Sequence, residues 1–152
     1  MRPAHFPIGL QLARTARAVS RAFDDSLAEA GGSLPIWLVL LNLKTRRLAN
    51  QRELAKAVGV NEATLTHHLN AMDSAGLITR VREAANRRVQ TVELTTAGEE
   101  MFLRLRSAAI SFDRRLRSGL TDEQIVEFGS LLGQLARNVT AGEGTSARWE
   151  LA

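Results

Sequence analysis

Apolar residues recur along most of this chain at steps of three and four, and one stretch breaks that rhythm into a step of two. Ile8, Leu12, Ala16, Val19, Phe23 and Leu27 share one helical face, with Arg14, Arg17, Arg21, Asp24, Asp25 and Glu29 on the other and Gly31-Gly32 as the stop. The spacing predicts a helix over 7–30. Ser33, with Pro35 in the following first turn, opens a second helix from Leu34 to about Lys44. Its run LPIWLVLLNL is apolar nearly all round, as for a central helix packed on several sides.

Asn50 with Glu53 forms a capping box, so a short helix starts at Gln51, buries Leu54, Ala55 and Val58, and ends at Gly59. After Val60, Asn61 caps again. Leu65, Leu69 and Met72 then make the inner stripe of a longer helix that stops at Gly76. Two helices joined by about three residues have the spacing of a helix-turn-helix. The step-of-two stretch follows: Ile78 to Glu83 and Val89 to Thr95 are β-rich runs, joined through a turn at Ala84 to Arg88. Leu48-Ala49 is placed to add a short third strand. Thr96 and Glu99 make another capping box and open a helix to about Ser118, with Met101, Leu105, Ala108, Phe112 and Leu116 as its stripe and Gly119 as its end. Thr121 and Gln124 form a third box, and Ile125, Phe128, Leu132, Leu135 and Val139 repeat as a coiled-coil-like seam.

The order of elements predicts a mainly α fold with a small β-wing (α+β): a winged helix-turn-helix whose N- and C-terminal helices form a dimerisation stem. We expect one domain over 1–152, with the DNA-binding lobe at 34–95, helical dimerisation regions at 7–30 and 97–140, and a flexible tail at 141–152 on which Trp149 and Leu151 could dock on a partner. One lobe cannot bury the seam, the first helix and the second face of the Thr96 helix together, hence the expectation of an intertwined homodimer.

If Leu65, Leu69 and Met72 face inward, the opposite side of that helix carries Glu62, Ala63, Thr64, Thr66, His67 and Asn70. Small and hydrogen-bonding groups suit a surface that enters a major groove about 12 Å wide and reads base edges. A merely solvated face would more commonly carry Lys and Glu. At the wing tip Arg87 and Arg88 stand where a guanidinium can enter the minor groove, although a hairpin tip kept soluble by charge would look the same. Lys44, Arg46, Arg47 and Arg52, with Thr64 beside them, are candidate phosphate contacts, which position a protein without specifying sequence.

The run QRELAKAVGVNEATLTHHLNAMDSAGLITRVREAANRRVQTVELTTAG resembles the DNA-binding core of the MarR (multiple antibiotic resistance regulator) family. The resemblance rests on Glu53-Leu54-Ala55, Gly59-Val60, Thr64-Leu65-Thr66, Leu69, Met72, Gly76-Leu77-Ile78, Arg88, Leu94-Thr95 and Gly98, and the flanking helices extend it over nearly the whole chain. One position departs. Asn86 stands where the family usually has an Asp two residues before the wing arginine, so Arg88 is offered a neutral partner, generally a weaker one than a carboxylate. The resemblance implies a homodimer in which a small ligand, often phenolic or otherwise aromatic, loosens DNA binding. The connectivity places a ligand crevice among the first helix, the Trp37 helix and the Met101 helix, with Leu12, Trp37, Leu41, Met101 and Leu105 as its lining; Trp37 reads first as core.

Charge placement adds to this picture. Of 152 residues, 20 are Lys or Arg and 16 are acids, a net charge of +4. From Lys44 to Glu93 nine basic residues face five acids, whereas the rest of the chain carries eleven of each, so the whole excess lies in the proposed DNA-binding lobe. An apolar fraction of 45% is that of a globular protein. There is no cysteine, which excludes disulfides, thiolate catalysis and a cysteine redox switch. The start MRPAHFPIGLQ lacks an apolar signal core and no run of about 18 apolar residues occurs, so a cytoplasmic protein without membrane spans is expected.

Catalysis finds no support. His67 and His68 are adjacent, so on a helix they diverge by about 100° and cannot form the same-face pair of HExxH. His5 is remote, no Gly-rich phosphate loop or nucleophile with its base is present, and neither metal nor cofactor is expected. The function expected is therefore a sequence-specific regulator of transcription binding double-stranded DNA, most simply a repressor on a pseudo-palindromic operator. The competing reading is a winged-helix protein-interaction module, which would show exposed aromatics or large aliphatics on the second helix.

Overall fold

The computed structural model describes residues 7–45, 50–82 and 90–140. They fall into two compact units, the first ending at Asp113 and the second beginning at Arg114.

In the first unit the chain runs through α1 (Ile8–Glu29), α2 (Leu34–Thr45), α3 (Gln51–Val58), α4 (Glu62–Ser74), β1 (Ile78–Arg82), β2 (Gln90–Leu94) and most of α5 (Thr96–Leu116). The strands pair antiparallel in a two-stranded ribbon, Ile78 opposite Leu94 and Arg82 opposite Gln90. This is the mainly helical winged fold that the pattern predicts, with the element bounds close to those read from the caps.

The core is built where the apolar residues of six elements converge. Val39 and Leu40 of α2, Leu54 and Val58 of α3, Leu65, Leu69 and Met72 of α4, Ile78 of β1, and Phe102 and Leu105 of α5 are all buried, with Leu27 of α1 among them. The central α2 is surrounded, as its all-round apolarity requires. Its one buried polar side chain, Asn42, donates through Nδ2 to the Leu38 carbonyl at 2.8 Å, so no amide donor is stranded there for want of a partner. Trp37 stacks on Phe102 with ring centroids 5.8 Å apart, which makes it a core residue.

The sequence pattern needs correction at two places in α5. Thr95, not Thr96, is the cap: its Oγ1 accepts from the Gly98 amide at 3.0 Å and donates to the Gly76 carbonyl at 2.6 Å. Both threonines fit the capping spacing, but only Thr95 reaches the turn after α4, and Glu99 turns instead to Lys44, at 2.7 Å. Phe102, absent from the stripe read in the sequence, is 7% exposed, because α5 is packed on two sides. On α1 only Leu27 is buried, and the stripe rises to 61% exposure at Ile8.

In the second unit, α6 (Asp122–Thr140) opens with the reciprocal box: Gln124 N donates to Thr121 Oγ1 at 3.2 Å, and Thr121 N to Gln124 Oε1 at 2.9 Å. No residue of α6 is buried, and Phe128, Leu131 and Val139 are more than half exposed. No single helix among the described residues is long and apolar enough to cross a membrane.

Candidate nucleic-acid interface

The α3–turn–α4 unit is fixed by local chemistry before any packing. Asn50 Oδ1 accepts from the Glu53 amide at 3.0 Å, and Asn61 Oδ1 accepts from the Thr64 amide at 2.7 Å, so each helix has one otherwise unpaired first-turn donor satisfied. Between them Gly59 sits at φ 82°, the left-handed conformation that ends α3 without a Cβ penalty, and its amide returns to the Ala55 carbonyl at 2.9 Å.

Packing then sets the rotation of α4. With Leu65, Leu69 and Met72 at 1% exposure or less, the helix turns Glu62, Ala63, His67 and Asn70 outward, and Thr64 and Thr66 lie half-buried at the edges. The exposed face thus carries the residue types expected of it. Thr66, however, has its hydroxyl engaged: Oγ1 accepts from Gln51 Nε2 at 2.7 Å and donates to the Glu62 carbonyl at 2.8 Å. It ties α3 to α4. His67 and His68 have ring centroids 5.9 Å apart with planes at 58°, His67 exposed and His68 half-buried.

The basic candidates divide. Arg52 lies 3.6 Å from Glu62, both side chains mostly exposed, a pairing weak enough to yield to a phosphate. Lys44, at the end of α2, is paired with Glu99 in the first turn of α5. Arg47, Arg87 and Arg88, with Asn86 and the suggested strand at Leu48-Ala49, lie outside the described residues, as does the tail with Trp149 and Leu151.

Two contributors escaped the sequence reading. Arg80 on β1 is half-buried and donates from Nη2 to Asn70 Oδ1 at 2.7 Å, and Gln51 holds Thr66. Neither has a signal at helical or strand spacing, since each pair bridges two elements.

The ligand candidates are brought together only in part. Trp37 and Leu105 belong to the core, Leu41 and Met101 pack against it half-buried, and Leu12 is 38% exposed. An open cavity of about 470 Å³ lies elsewhere, between Leu43, Lys44 and Thr45 of α2, Val92 to Leu94 of β2, and Glu99. Among the described residues no group of three or more His, Asp or Glu side chains is placed to hold a metal ion.

Comparison with known proteins follows the same lines. The MarR family model matches residues 33–89, from just before α2 through β1 to the residue that precedes β2. The transcriptional regulator PA3341 is 31% identical, with 88% of this chain and 98% of that one covered at a TM-score of 0.68. The transcriptional repressor CouR, bound to a 23-mer DNA duplex, is 26% identical, with 85% and 92% covered at a TM-score of 0.74. AbsC, a MarR family transcriptional regulator from Streptomyces coelicolor, shares the fold at 21% identity and a TM-score of 0.75, with 88% and 93% covered.

Proposed function

This chain belongs to the MarR family of DNA-binding transcriptional regulators, and on that premise we propose that it is a homodimeric repressor that reads a pseudo-palindromic operator through α4. The observation that carries the reading is the outward face of α4. It presents Ala63, His67 and Asn70 to solvent while the opposite stripe is fully buried, so the polar residues are held on a rigid helix and not on a loose surface. A protein-docking face would need exposed large apolar groups there. The similarity to CouR, a repressor bound to a DNA duplex, supports the same reading.

In this mechanism α4 enters the major groove, the first turn with Ala63 and Thr64 lies against the backbone and base edges, and His67 and Asn70 supply polar contacts. Arg52 and Arg47 take phosphates, and Arg87 and Arg88 of the wing reach the neighbouring minor groove. The exposed apolar face of α6 and the uncovered start of α1 support a second copy as partner. Two α4 helices related by a two-fold axis then meet half-sites about 34–36 Å apart, or ~10 base pairs.

Release by a small aromatic ligand is the regulatory part of the proposal. Leu41 and Met101, half-buried against the core that holds the Trp37–Phe102 stack, are where such a ring would enter. Its effect on DNA affinity is bounded by its differential affinity for the bound and free forms.

Selection of bound sequences from a random duplex pool tests the proposal, followed by the salt dependence of binding to the winner. A two-fold-symmetric site with half-sites one helical turn apart is the expected result. Weak, salt-sensitive retention with no enrichment would sink sequence-specific reading by the purified protein and favour an interaction module.

A further inference from the structure

Asn70 and Arg80 form one unit whose chemistry decides which atom of Asn70 is available. Asn70 lies on the exposed side of α4, in its third turn, and Arg80 reaches it from β1, with Nη2 donating to Oδ1 at 2.7 Å. A guanidinium carries donors and no acceptor, so the amide atom facing it has to be the oxygen. The usual ambiguity between the two ends of an asparagine amide is thereby removed. Arg80 Nε is buried and has no hydrogen-bond partner. Nε and Nη2 share one edge of the guanidinium, the edge that a carboxylate takes with both oxygens in a side-on fork. Asparagine satisfies only one of the two donors, because its other terminal atom is itself a donor.

We propose that Arg80 is the positioning residue that makes Asn70 a donor-only reader: it engages the amide oxygen and leaves Nδ2 to meet the major groove. The proposal rests on the DNA-reading function of α4. An unconstrained asparagine offers oxygen and nitrogen side by side and matches adenine, which presents the N6 amine as donor and N7 as acceptor. With Oδ1 held by Arg80, the outward group is an NH2, which opposes the adenine amine and matches guanine, whose N7 and O6 are both acceptors. Position 70 therefore selects a base that presents acceptors at one position of each half-site, guanine ahead of thymine because guanine offers two acceptors, N7 and O6, and thymine only O4. Thr66 does not compete for that edge, since its hydroxyl is engaged by Gln51 and the Glu62 carbonyl.

Sequence selection from a random duplex pool with the wild-type protein, Arg80→Met and Asn70→Asp tests this, with thermal melting of each to establish folding. The wild type is expected to enrich guanine at the Asn70 position. Arg80→Met frees the amide and shifts that position alone to adenine, by about tenfold in relative preference. Asn70→Asp keeps the Arg80 contact but removes the outward amine, so the guanine preference at the same position is lost. A purely structural role for Arg80 would lower affinity evenly and leave every base preference where it was. If the wild type selects a site and Arg80→Met selects the same base at every position, the proposal is overturned while DNA reading stands. Should Arg80→Met not fold, an unchanged preference in Asn70→Asp overturns it equally. A wild type that selects no site removes the DNA-reading function and this proposal with it.

Discussion

Replacing Gly98 with alanine should cost this protein more stability than its size suggests. Gly98 is buried in the first turn of α5 and is not among the glycines with positive φ, so backbone freedom is not what requires it. Space is. A Cβ built there would overlap the Leu77 carbonyl oxygen, lie 3.1 Å from the carbonyl carbon and press Leu94 Cδ2 at 3.3 Å. The obstacle is backbone and cannot swing aside, so the start of α5 must withdraw from the turn after α4 by about 1 Å or more to regain van der Waals contact. That withdrawal stretches the bond from Thr95 N to the Leu77 carbonyl, at 3.1 Å, and that from Thr95 Oγ1 to the Gly76 carbonyl, at 2.6 Å.

Overpacking of this kind costs about 1–3 kcal/mol, and each of the two weakened hydrogen bonds about 1 kcal/mol, so a loss of about 3–5 kcal/mol is expected. At about 2–4 °C per kcal/mol for a chain of this length, the melting temperature should drop by roughly 10 °C. Urea and thermal unfolding followed by circular dichroism, at one fixed protein concentration because association shifts apparent stability, give the number. Gly9→Ala is the control. It lies in α1 with nothing within 4 Å of the added methyl, and alanine there should be neutral or stabilising by up to about 1 kcal/mol. Gly98→Ala unfolding within about 1 kcal/mol of wild type would refute the packing argument, since no flexible side chain is available to absorb the overlap.

Asn61→Ala removes the acceptor for the Thr64 amide and should cost about 1 kcal/mol in urea unfolding, together with a measurable loss of operator affinity as the first turn of α4 frays. Lys44→Ala breaks an exposed pair with Glu99 worth at most about 1 kcal/mol; if Lys44 leaves Glu99 for a phosphate in the complex, the salt dependence of DNA binding also flattens by about one unit, and an unchanged slope would assign Lys44 to Glu99 alone. Arg88→Ala is expected to weaken operator binding measured by fluorescence anisotropy, and unaltered affinity would remove the wing arginine from the mechanism. Glu123 in the first turn of α6 has its carboxyl held below the ordinary range, mainly by a hydrogen bond from its own backbone amide and then by Thr121. Its folded-state pKa being the lower one, its contribution is present above the unfolded value and lost as pH falls through the folded one, so acidification should reduce helicity more in wild type than in Glu123→Gln.

What the chain discloses in sequence is what its local chemistry decides. Asn50, Gly59 and Asn61 act on amides and carbonyls within a few residues, and each sits in the structure where its spacing places it. The choice between Thr95 and Thr96 was not decidable that way. Both stand three residues before a plausible partner, and the contact that selects Thr95, the Gly76 carbonyl, lies 19 residues back along the chain. Phe102 was hidden for a related reason: a single apolar stripe describes a helix packed on one side, and α5 meets the Trp37 ring on another. The outward face of α4 was legible because three buried residues fix its rotation.

The hydrogen-bonding inventory of that face was not legible, and it is narrower than its residue types suggest. Of the polar groups that α4 turns toward solvent or its edges, the Thr66 hydroxyl is committed inward and the Asn70 oxygen is committed to Arg80. With no Lys or Arg in the helix, the proposed base reading draws on the Asn70 amine and His67, with Ala63 and Thr64 of the first turn allowing close approach. The arrangement also has a stability cost. Arg80 Nε is buried without an acceptor, a deficit of about 1–3 kcal/mol that an aspartate at position 70 would remove by completing the fork. Asparagine leaves that energy unclaimed but keeps an amine on the surface where aspartate would offer only acceptors. A more stable fold carrying Asn70→Asp and a changed operator would be two consequences of the same atom exchange, the first read in the melting curve and the second in the selected sequence.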